Sequence, residues 1–244
     1  MGDDAASWSN PSMEVLPWDS DWLGFPVARA VVCTTAEIVT AVAEGRALGI
    51  RLLYLIVRAA HESALAYAYA NGAWMADVKL TYELDMVFPI NRPHMQSLAV
   101  SYCQATICSP ALYELAQQSS QYSRFRLDQL ISDDACDELY AKWLQQCLLY
   151  GKVWTAERGG ETVGLLAMNS RYGRASIELL SVNPAARQQG IGRGLLYLAW
   201  HQARCQYESV LQVATQEANQ QAQQLYQRFG FQLVNREHMF HVWL

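Results

Sequence analysis

The stretch that decides the fold is Asn183-Pro-Ala-Ala-Arg-Gln-Gln-Gly-Ile-Gly-Arg-Gly194, which runs directly into Leu195-Leu-Tyr-Leu-Ala-Trp-His-Gln-Ala203. The second segment has the spacing of an amphipathic helix, and its predicted inward face is Leu195, Leu196, Ala199, Trp200 and Ala203. A glycine-rich loop that enters a helix can bind an anion, because its backbone N–H groups point inward and the helix dipole is positive there. Gly190 and Gly192 carry no side chain, so a phosphate can approach the backbone closely. The stretch therefore predicts a phosphate-binding loop.

Two other kinds of phosphate loop do not fit this stretch. A Walker A loop would continue into Gly-Lys-Ser/Thr, which is missing here. A dinucleotide fingerprint would open a βαβ unit, whereas this loop lies late in the chain, behind a predicted hairpin over residues 153–168 and a strand over 175–182.

The segment Arg187-Gln-Gln-Gly190-Ile-Gly192 resembles the pyrophosphate-binding signature of the GNAT acetyltransferase superfamily, Arg/Gln-x-x-Gly-x-Gly/Ala. The later segments fit the same family: a strand over 209–215, then Asn219, then Ala222-Gln-Gln-Leu-Tyr226 followed by Gly230-Phe231. The resemblance covers about half of the chain. It implies an α/β GNAT fold, with a mixed central sheet splayed at the cofactor strand. It also implies an N-acetyltransferase that uses acetyl-CoA as its co-substrate.

The resemblance also implies a role for individual residues. The backbone amides of residues 188–193 would hold the pyrophosphate, and strand residues 179–182 would splay from their neighbour and pair with pantetheine. The amide of Leu180 would polarise the thioester carbonyl, and Tyr226 would protonate the departing thiolate. The implied cofactor-binding residues are Leu180, Ser181, Val182, Arg187, Gln188, Gln189, Gly190, Ile191, Gly192, Arg193, Gly194, Asn219 and Tyr226.

The acid and base of the reaction are less readable from the sequence. Tyr226 also lies at helical spacing among apolar residues, so a core position is its alternative interpretation, but the surrounding motif favours catalysis. For the base that takes the amine proton we predict Glu83, with Glu178 as the alternative, and either residue is also compatible with a solvated strand position. Asp85 shares the face of Glu83 because strand side chains alternate.

Covalent and metal-assisted routes are not favoured. Cys205 has no His at catalytic spacing in view, so direct transfer of the acetyl group is expected. No Cys-x-x-Cys occurs, and His238 and His241 fall on opposite faces of a predicted strand. We therefore expect no metal.

The first half of the chain predicts a second, smaller α/β unit. We expect a truncated GNAT-like domain over residues 1–95 and the catalytic domain over 96–244, joined near residues 90–93 after a long strand over 75–88. Residues 18–29, 82–89 and 122–126 resemble the TDP-fucosamine acetyltransferases, a group that acetylates a dTDP-4-amino-4,6-dideoxygalactose and forms dimers. This implies a nucleotide-linked amino sugar as acceptor and a homodimer. Arg124 and Arg126 beside Phe125 would suit its diphosphate and a stacked base.

Composition limits the remaining choices. The 244 residues carry a formal net charge of −5, which argues against nucleic acid bound on a broad basic face. Residues 1–10 lack the features of a signal peptide, and no apolar run reaches the ~18 residues of a membrane span, so we expect a cytoplasmic protein. The alternatives left open are acetylation of another amine, on a protein N-terminus or a small molecule, and a non-catalytic acyl-CoA sensor.

Overall fold

A computed structural model describes residues 13–58, 60–87 and 100–244 of the chain. The chain divides into two compact units, one formed by Met1–Val78 with Arg236–Leu244 and the other by Lys79–Asn235. The division falls within two long strands, Trp74–Asp85 and Gln232–Trp243.

Strands and helices alternate along most of the chain, as expected for the predicted α/β class. The strands β1 to β10 are Glu14–Val15, Val27–Val32, Leu52–Arg58, Trp74–Asp85, Val100–Ala105, Lys152–Arg158, Glu161–Arg171, Arg174–Val182, Val210–Gln216 and Gln232–Trp243. The helices α1 to α8 are Pro17–Leu23, Thr35–Ala47, Glu62–Ala70, Pro110–Gln118, Arg124–Leu127, Asp133–Tyr150, Ile191–Cys205 and Gln220–Phe229. Two short 3₁₀ segments cover Ser119–Tyr122 and Pro184–Ala186.

The first unit is a sheet layer with α2 and α3 packed on one face. Strand β2 runs parallel to β3, and β10 pairs with β3 in the antiparallel sense. Helix α2 begins at a capping box, in which Thr34 accepts the amide of Glu37 and the Glu37 carboxylate accepts the amide of Thr34. Alternate residues of β2 and β3 form a buried core together with Ile38, Ala41 and Phe240.

The second unit contains a sheet in the order β4-β9-β8-β7-β6-β5. Strands β8 and β9 are parallel and are connected through α7, whereas the neighbouring pairs are antiparallel. Helices α4 and α6 pack against β6, β7 and β8. The predicted inward face of α7 is confirmed, because Leu195, Leu196, Ala199 and Ala203 are fully buried and Trp200 is nearly so.

Strand β8 is irregular on both of its sides. On the β7 side, Ala167 pairs with Leu179 and Met168 with Ile177, which leaves Glu178 as the extra residue of a β-bulge. On the β9 side, the register within the described residues ends at Ile177 and Val213. The predicted splay of the sheet at the cofactor strand is therefore present beyond Ile177.

The structure changes one detail of the sequence prediction and leaves another untested. The strand expected over residues 75–88 ends at Asp85, because the Asp85 carboxylate accepts the amide of Val87 at 2.9 Å and starts a turn. The joint near residues 90–93 and the boundary between residues 95 and 96 lie outside the described residues. After the gap, the chain forms β5 and then α4, whose first turn is capped by the Ser109 side chain.

Candidate active site

The glycine-rich loop places unpaired backbone N–H groups at the start of α7. Gln188 and Gly190 both have left-handed backbone conformations, with φ of 60° and 82°. Such a conformation is strained for Gln188 and is tolerated by glycine, so its presence in a non-glycine residue is typical of a functional loop. The amide of Gly194 donates to the carbonyl of Gly190 at 3.0 Å. The three helical amides before it, those of residues 191–193, have no intrahelical acceptor and are available to an anion.

Two arginines hold this loop in place. The Arg187 Nε donates to the carbonyl of Val182 at 2.9 Å, which ties the loop to the end of β8. The Arg158 guanidinium, on β6, donates to the side-chain oxygen of Gln189. Neither contact occupies the backbone amides of the loop, so both stabilise its shape and leave its anion-binding groups open.

A cavity of about 500 Å³ opens between the loop, the end of β8 and helix α8. This volume lies in the usual range of small-molecule sites. The predicted cofactor residues that line it are Leu180, Ser181, Val182, Arg187, Gln188, Gly190, Ile191, Gly192, Arg193, Asn219 and Tyr226. Gln189 and Gly194 were also predicted but do not line the cavity: Gln189 is held by Arg158, and Gly194 is buried within α7.

The lining suits a long, negatively charged ligand. Arg187, Arg193 and Arg228 contribute cationic side chains to the cavity of this otherwise acidic protein. The wall at Gly192 is close to α8, since a Cβ added there would lie 3.2 Å from the Leu225 Cδ2. The cavity therefore has two features: a loop whose backbone a phosphate can approach closely, and positively charged side chains in its lining. These are the features that the pyrophosphate and pantetheine of acetyl-CoA need.

Tyr226 lines the cavity from helix α8, across from the glycine-rich loop. It is only 5% exposed, and its ring centre lies 5.9 Å from that of Tyr82 and 5.8 Å from that of Phe231. The Tyr82 hydroxyl donates to the Gln223 side chain at 3.3 Å and accepts from the Gln227 side chain at 3.4 Å. These contacts connect β4 to α8, the helix that carries Tyr226. Burial raises the pKa of Tyr226, so its phenol stays protonated at neutral pH.

Asn219 has a structural partner in addition to its predicted contact with the cofactor. Its side-chain oxygen accepts the amide of Ala222 at 3.1 Å, which caps the N-terminus of α8. Gly230 ends the same helix in a left-handed conformation with φ of 117°. The motif that suggested a family resemblance therefore also encodes the two ends of the helix that presents Tyr226.

The two candidate bases occupy different places. The Glu83 carboxylate forms an ion pair with the Arg174 guanidinium, and Glu83 does not line the cavity. Glu83 is aligned with Gln212, and Gln212 with Ser176. At about 3.3 Å per residue along a strand and about 4.8 Å between strands, the Glu83 backbone lies more than about 10 Å from that of Leu180.

Glu178 does not line the cavity either, but it lies in the bulge of β8, where the pairing with β9 has just ended. Its position on the sheet is indicated by Cys147 of α6. Burial, together with the nearby charge of Glu178, raises the pKa of the Cys147 thiol to about 12. The Glu178 charge is therefore near Cys147, and its backbone is two positions before Leu180 in the sequence.

The predicted substrate residues are held by other parts of the protein. Arg126 forms ion pairs with Asp133, at 2.8 Å, and with Asp137. Phe125 is 8% exposed, and the Arg124 guanidinium lies 4.3 Å from the centre of its ring. The Phe125 ring is thus already covered, and this arrangement gives no support to a base stacked on it.

The remaining expectations concern cysteine, metal and membrane. The expectation that Cys205 has no paired His is wrong, because one helical turn places the His201 Nδ1 3.7 Å from its sulfur. Cys205 is nevertheless exposed near the end of α7 and does not line the cavity. Among the described residues, no group of three or more His, Cys, Asp or Glu side chains could hold a metal ion. Nor does this part of the chain contain a helix with the length and hydrophobicity of a membrane span.

The sequence prediction missed one wall of the cavity. Gln118, Ser119, Gln121 and Tyr122, at the end of α4 and in the 3₁₀ segment after it, face residues 180–182 across the cavity. Their run of small polar side chains is typical of a solvated loop, and only Tyr122 belongs to a segment that the family resemblance had singled out. Leu225 and Arg228 of α8 were also missed, although helical spacing from Tyr226 could have suggested them.

A curated relative is the spore coat polysaccharide biosynthesis protein SpsD of Bacillus subtilis (strain 168), 30% identical over 136 residues that make up 54% of this chain and 47% of the relative. The chain therefore spans about half the length of that relative.

Solved structures with a similar fold include two GCN5-related N-acetyltransferases. The protein from Sphaerobacter thermophilus has a TM-score of 0.64 at 14% identity, with 95% of this chain and 76% of that chain covered. The protein from Kribbella flavida has a TM-score of 0.60 at 13% identity, with 96% and 87% covered. A functionally unknown conserved protein from Staphylococcus epidermidis ATCC 12228 has a TM-score of 0.68 at 11% identity, with 97% and 92% covered. At these identities the likeness shows the fold.

The family model described as the acetyltransferase (GNAT) family matches residues 110–231, which are half of the chain and include the loop, the splayed strand and Tyr226. The predicted fold is confirmed, and the family that matches is the one to which the predicted class of enzyme, an acetyl-CoA-dependent N-acetyltransferase, belongs. The chain belongs to the acetyltransferase (GNAT) family.

Proposed function

We propose that this protein transfers the acetyl group of acetyl-CoA directly to the amino group of a nucleotide-linked amino-dideoxy sugar, with a dTDP sugar as the expected acceptor. The observation that carries the transferase activity is the convergence of three features on one cavity. These are the amides of the glycine-rich loop, the unpaired side of β8 and the buried residue Tyr226.

The loop and the splayed strand are the parts that we assign to the cofactor. The amides of residues 191–193 and the side chains of Arg187 and Arg193 would hold the pyrophosphate. Backbone groups of residues 180–182 face the cavity where β9 no longer pairs with them, and they would hold pantetheine as an added strand. When bound, acetyl-CoA supplies an activated acetyl thioester.

We assign three polar groups of the chain to the reaction itself. The Leu180 amide would donate to the thioester carbonyl oxygen, which gains negative charge as the amine nitrogen bonds to the carbonyl carbon. The Tyr226 hydroxyl would donate to the sulfur as the C–S bond breaks. The proton that the amine loses would pass to a carboxylate, directly or through water.

For that carboxylate we propose Glu178 in preference to Glu83. Glu178 lies in the bulge beside the residues assigned to the thioester, whereas Glu83 is paired with Arg174 at the other end of the β8–β9 pairing. Glu83 stays the prediction from sequence, and one pair of variants separates the two residues.

The proposal of a sugar acceptor is supported by a relative of the chain. The name of the Bacillus subtilis relative refers to polysaccharide biosynthesis, which favours an acceptor related to sugars. The first half of the chain repeats the order of the second: strand, helix, parallel strand, helix, long strand, as β2-α2-β3-α3-β4 and β8-α7-β9-α8-β10. This order supports the proposal of a truncated GNAT-like N-terminal domain. A cytoplasmic location and a homodimer stay predictions.

The acceptor class is tested with the purified protein and a panel of amines. We expect thiol release from acetyl-CoA in the presence of dTDP- or UDP-linked amino sugars and much slower release with spermidine or a peptide N-terminus. If thiol release occurs with the peptide or spermidine and not with the amino sugars, the acceptor is another amine and not a sugar. Tight acetyl-CoA binding with no release for any amine would favour a non-catalytic sensor.

Substitution at the loop should weaken the binding of acetyl-CoA. A side chain in Gly190→Val would strain a left-handed residue and obstruct the approach of the pyrophosphate, so we expect the dissociation constant to rise roughly tenfold or more. Gly160→Val is the matched control, because Gly160 has a similar φ of 85° in the turn between β6 and β7. Calorimetry should find acetyl-CoA affinity unchanged in the control, and equal losses in both variants would remove the loop from the cofactor site.

Removing the Tyr226 hydroxyl should lower the rate of the reaction without weakening the binding of acetyl-CoA. Tyr226→Phe should lower kcat by roughly ten- to a thousandfold, because the hydroxyl acts on the sulfur only as the thiolate forms, and leave the acetyl-CoA dissociation constant nearly unchanged. Since burial raises the pKa of Tyr226 above its ordinary value of about 10, the ratio of the two kcat values should stay constant between about pH 6 and 9. An unchanged kcat would return Tyr226 to a purely structural role.

Two glutamine substitutions identify the base. Glu178→Gln should lower kcat/KM for the amine by roughly a hundredfold or more at neutral pH and keep the acetyl-CoA affinity. Glu83→Gln should change kcat/KM by less than about threefold, because it disrupts only a partly exposed ion pair. The reverse pattern, an inactive Glu83→Gln with an active Glu178→Gln, would make Glu83 the base.

A further inference from the structure

One side of the cofactor cavity has no part in the binding of acetyl-CoA that we propose. The residues that line this side are Gln118, Ser119, Gln121 and Tyr122, which we call the polar wall. Helix α4 and the 3₁₀ segment after it carry the wall, and both pack against β8. The loop and residues 180–182 are assigned to the cofactor, and Tyr226 to the departing sulfur. The polar wall is therefore the side that remains for an acceptor beside residues 180–182.

Tyr122 is the aromatic residue of the polar wall, and its hydroxyl is open to a ligand. The side chain is partly buried, and within the described part of the chain its hydroxyl forms no hydrogen bond. That oxygen nevertheless retains accessible surface. The hydroxyls of Tyr82 and Tyr113, by comparison, are bound to glutamine side chains of α8 and α6. A ligand in the cavity can therefore reach the polar end of Tyr122.

Hydrogen bonds on both sides of Tyr122 fix its place in the chain. Ser120 and Ser123 are buried, and the amide of Ser123 donates to the carbonyl of Ser120 at 2.7 Å. The Arg126 guanidinium donates to the Ser120 hydroxyl at 3.0 and 3.3 Å, and it also forms ion pairs with two aspartates of α6. The 3₁₀ segment is thus tied to α6. Such support holds a binding residue in one position before its ligand arrives.

We infer that Tyr122 binds the sugar ring of the acceptor, with its aromatic ring against the C–H groups of the sugar and its hydroxyl bonded to a polar group at the edge of that ring. A dideoxy sugar has more C–H surface than a fully hydroxylated one, and a tyrosine offers an apolar face together with a polar tip. A sugar held there lies in the same cavity as residues 180–182, where its amine can meet the thioester. This inference rests on the proposed function and adds a residue that selects the acceptor.

Two substitutions at this position separate the hydroxyl from the ring. Tyr122→Phe removes only the hydroxyl, so the KM for dTDP-4-amino-4,6-dideoxygalactose should rise roughly three- to tenfold, as expected for one hydrogen bond. Tyr122→Ala also removes the aromatic face, and the KM should then rise roughly thirtyfold or more. In Tyr122→Phe, kcat at saturating sugar should fall less than about threefold, because the residue binds the acceptor and takes no part in bond breaking.

Binding of acetyl-CoA is the second measurement, and it also reports whether each variant is folded. Its dissociation constant should change less than about twofold in both variants, because the loop and β8 hold the cofactor. A loss of acetyl-CoA affinity as large as the rise in KM would place Tyr122 in the cofactor site and overturn the inference. Tyr113→Phe is the matched control: Tyr113 lies on α4, accepts from Gln145 at 2.9 Å and does not line the cavity. It should leave both constants unchanged.

The remaining outcomes distinguish this inference from the proposed function. If both Tyr122 variants acetylate the amino sugar with the KM of the unchanged protein, Tyr122 does not bind the sugar ring, and the proposed function still stands. If the unchanged protein acetylates spermidine but none of the nucleotide-linked amino sugars, the proposed function itself is wrong and this inference falls with it.

Discussion

Beyond Ile177, strand β8 has no partner on its β9 side within the described residues, and the site depends on this interruption. Backbone N–H and C=O groups that face a cavity must find a partner, in water or in a ligand. A continuous sheet would satisfy them internally and would leave no slot beside residues 180–182. The bulge at Glu178 coincides with the interruption, since it changes the path of β8 at the point where its neighbour departs.

Electrostatics at the site are local and differ from those of the whole chain. The protein has a formal net charge of −5, yet its cofactor cavity is lined by three arginines and by the first amides of α7. Such groups act over short distances, because salt screens charges beyond about 10 Å. The acidic surface therefore does not prevent the binding of an anionic cofactor. At this cavity the loop, the helix terminus and the arginines together provide a local positive potential.

The two sides of the cavity are built differently. The loop side relies on backbone groups, which have fixed directions once the helix starts at Ile191. The α8 side relies on one buried hydroxyl, and its position depends on ring packing against Tyr82 and Phe231 and on the hydrogen bonds of Tyr82 to α8. Burial keeps the Tyr226 phenol neutral, which suits a proton donor, and it also explains why the same residue is compatible with a core position.

The sequence by itself determined the loop, the helix after it and the segment that carries Tyr226, because glycine placement, helix caps and helical spacing are local properties of the chain. Only the tertiary structure decided which carboxylate lies beside the splayed strand. The partner of Glu83 is Arg174, 91 positions away, and the bulge that presents Glu178 exists only when β7 and β8 pair. The polar wall at Gln118 could not be predicted from the sequence either. A run of Gln and Ser becomes part of a site only when folding brings another strand against it.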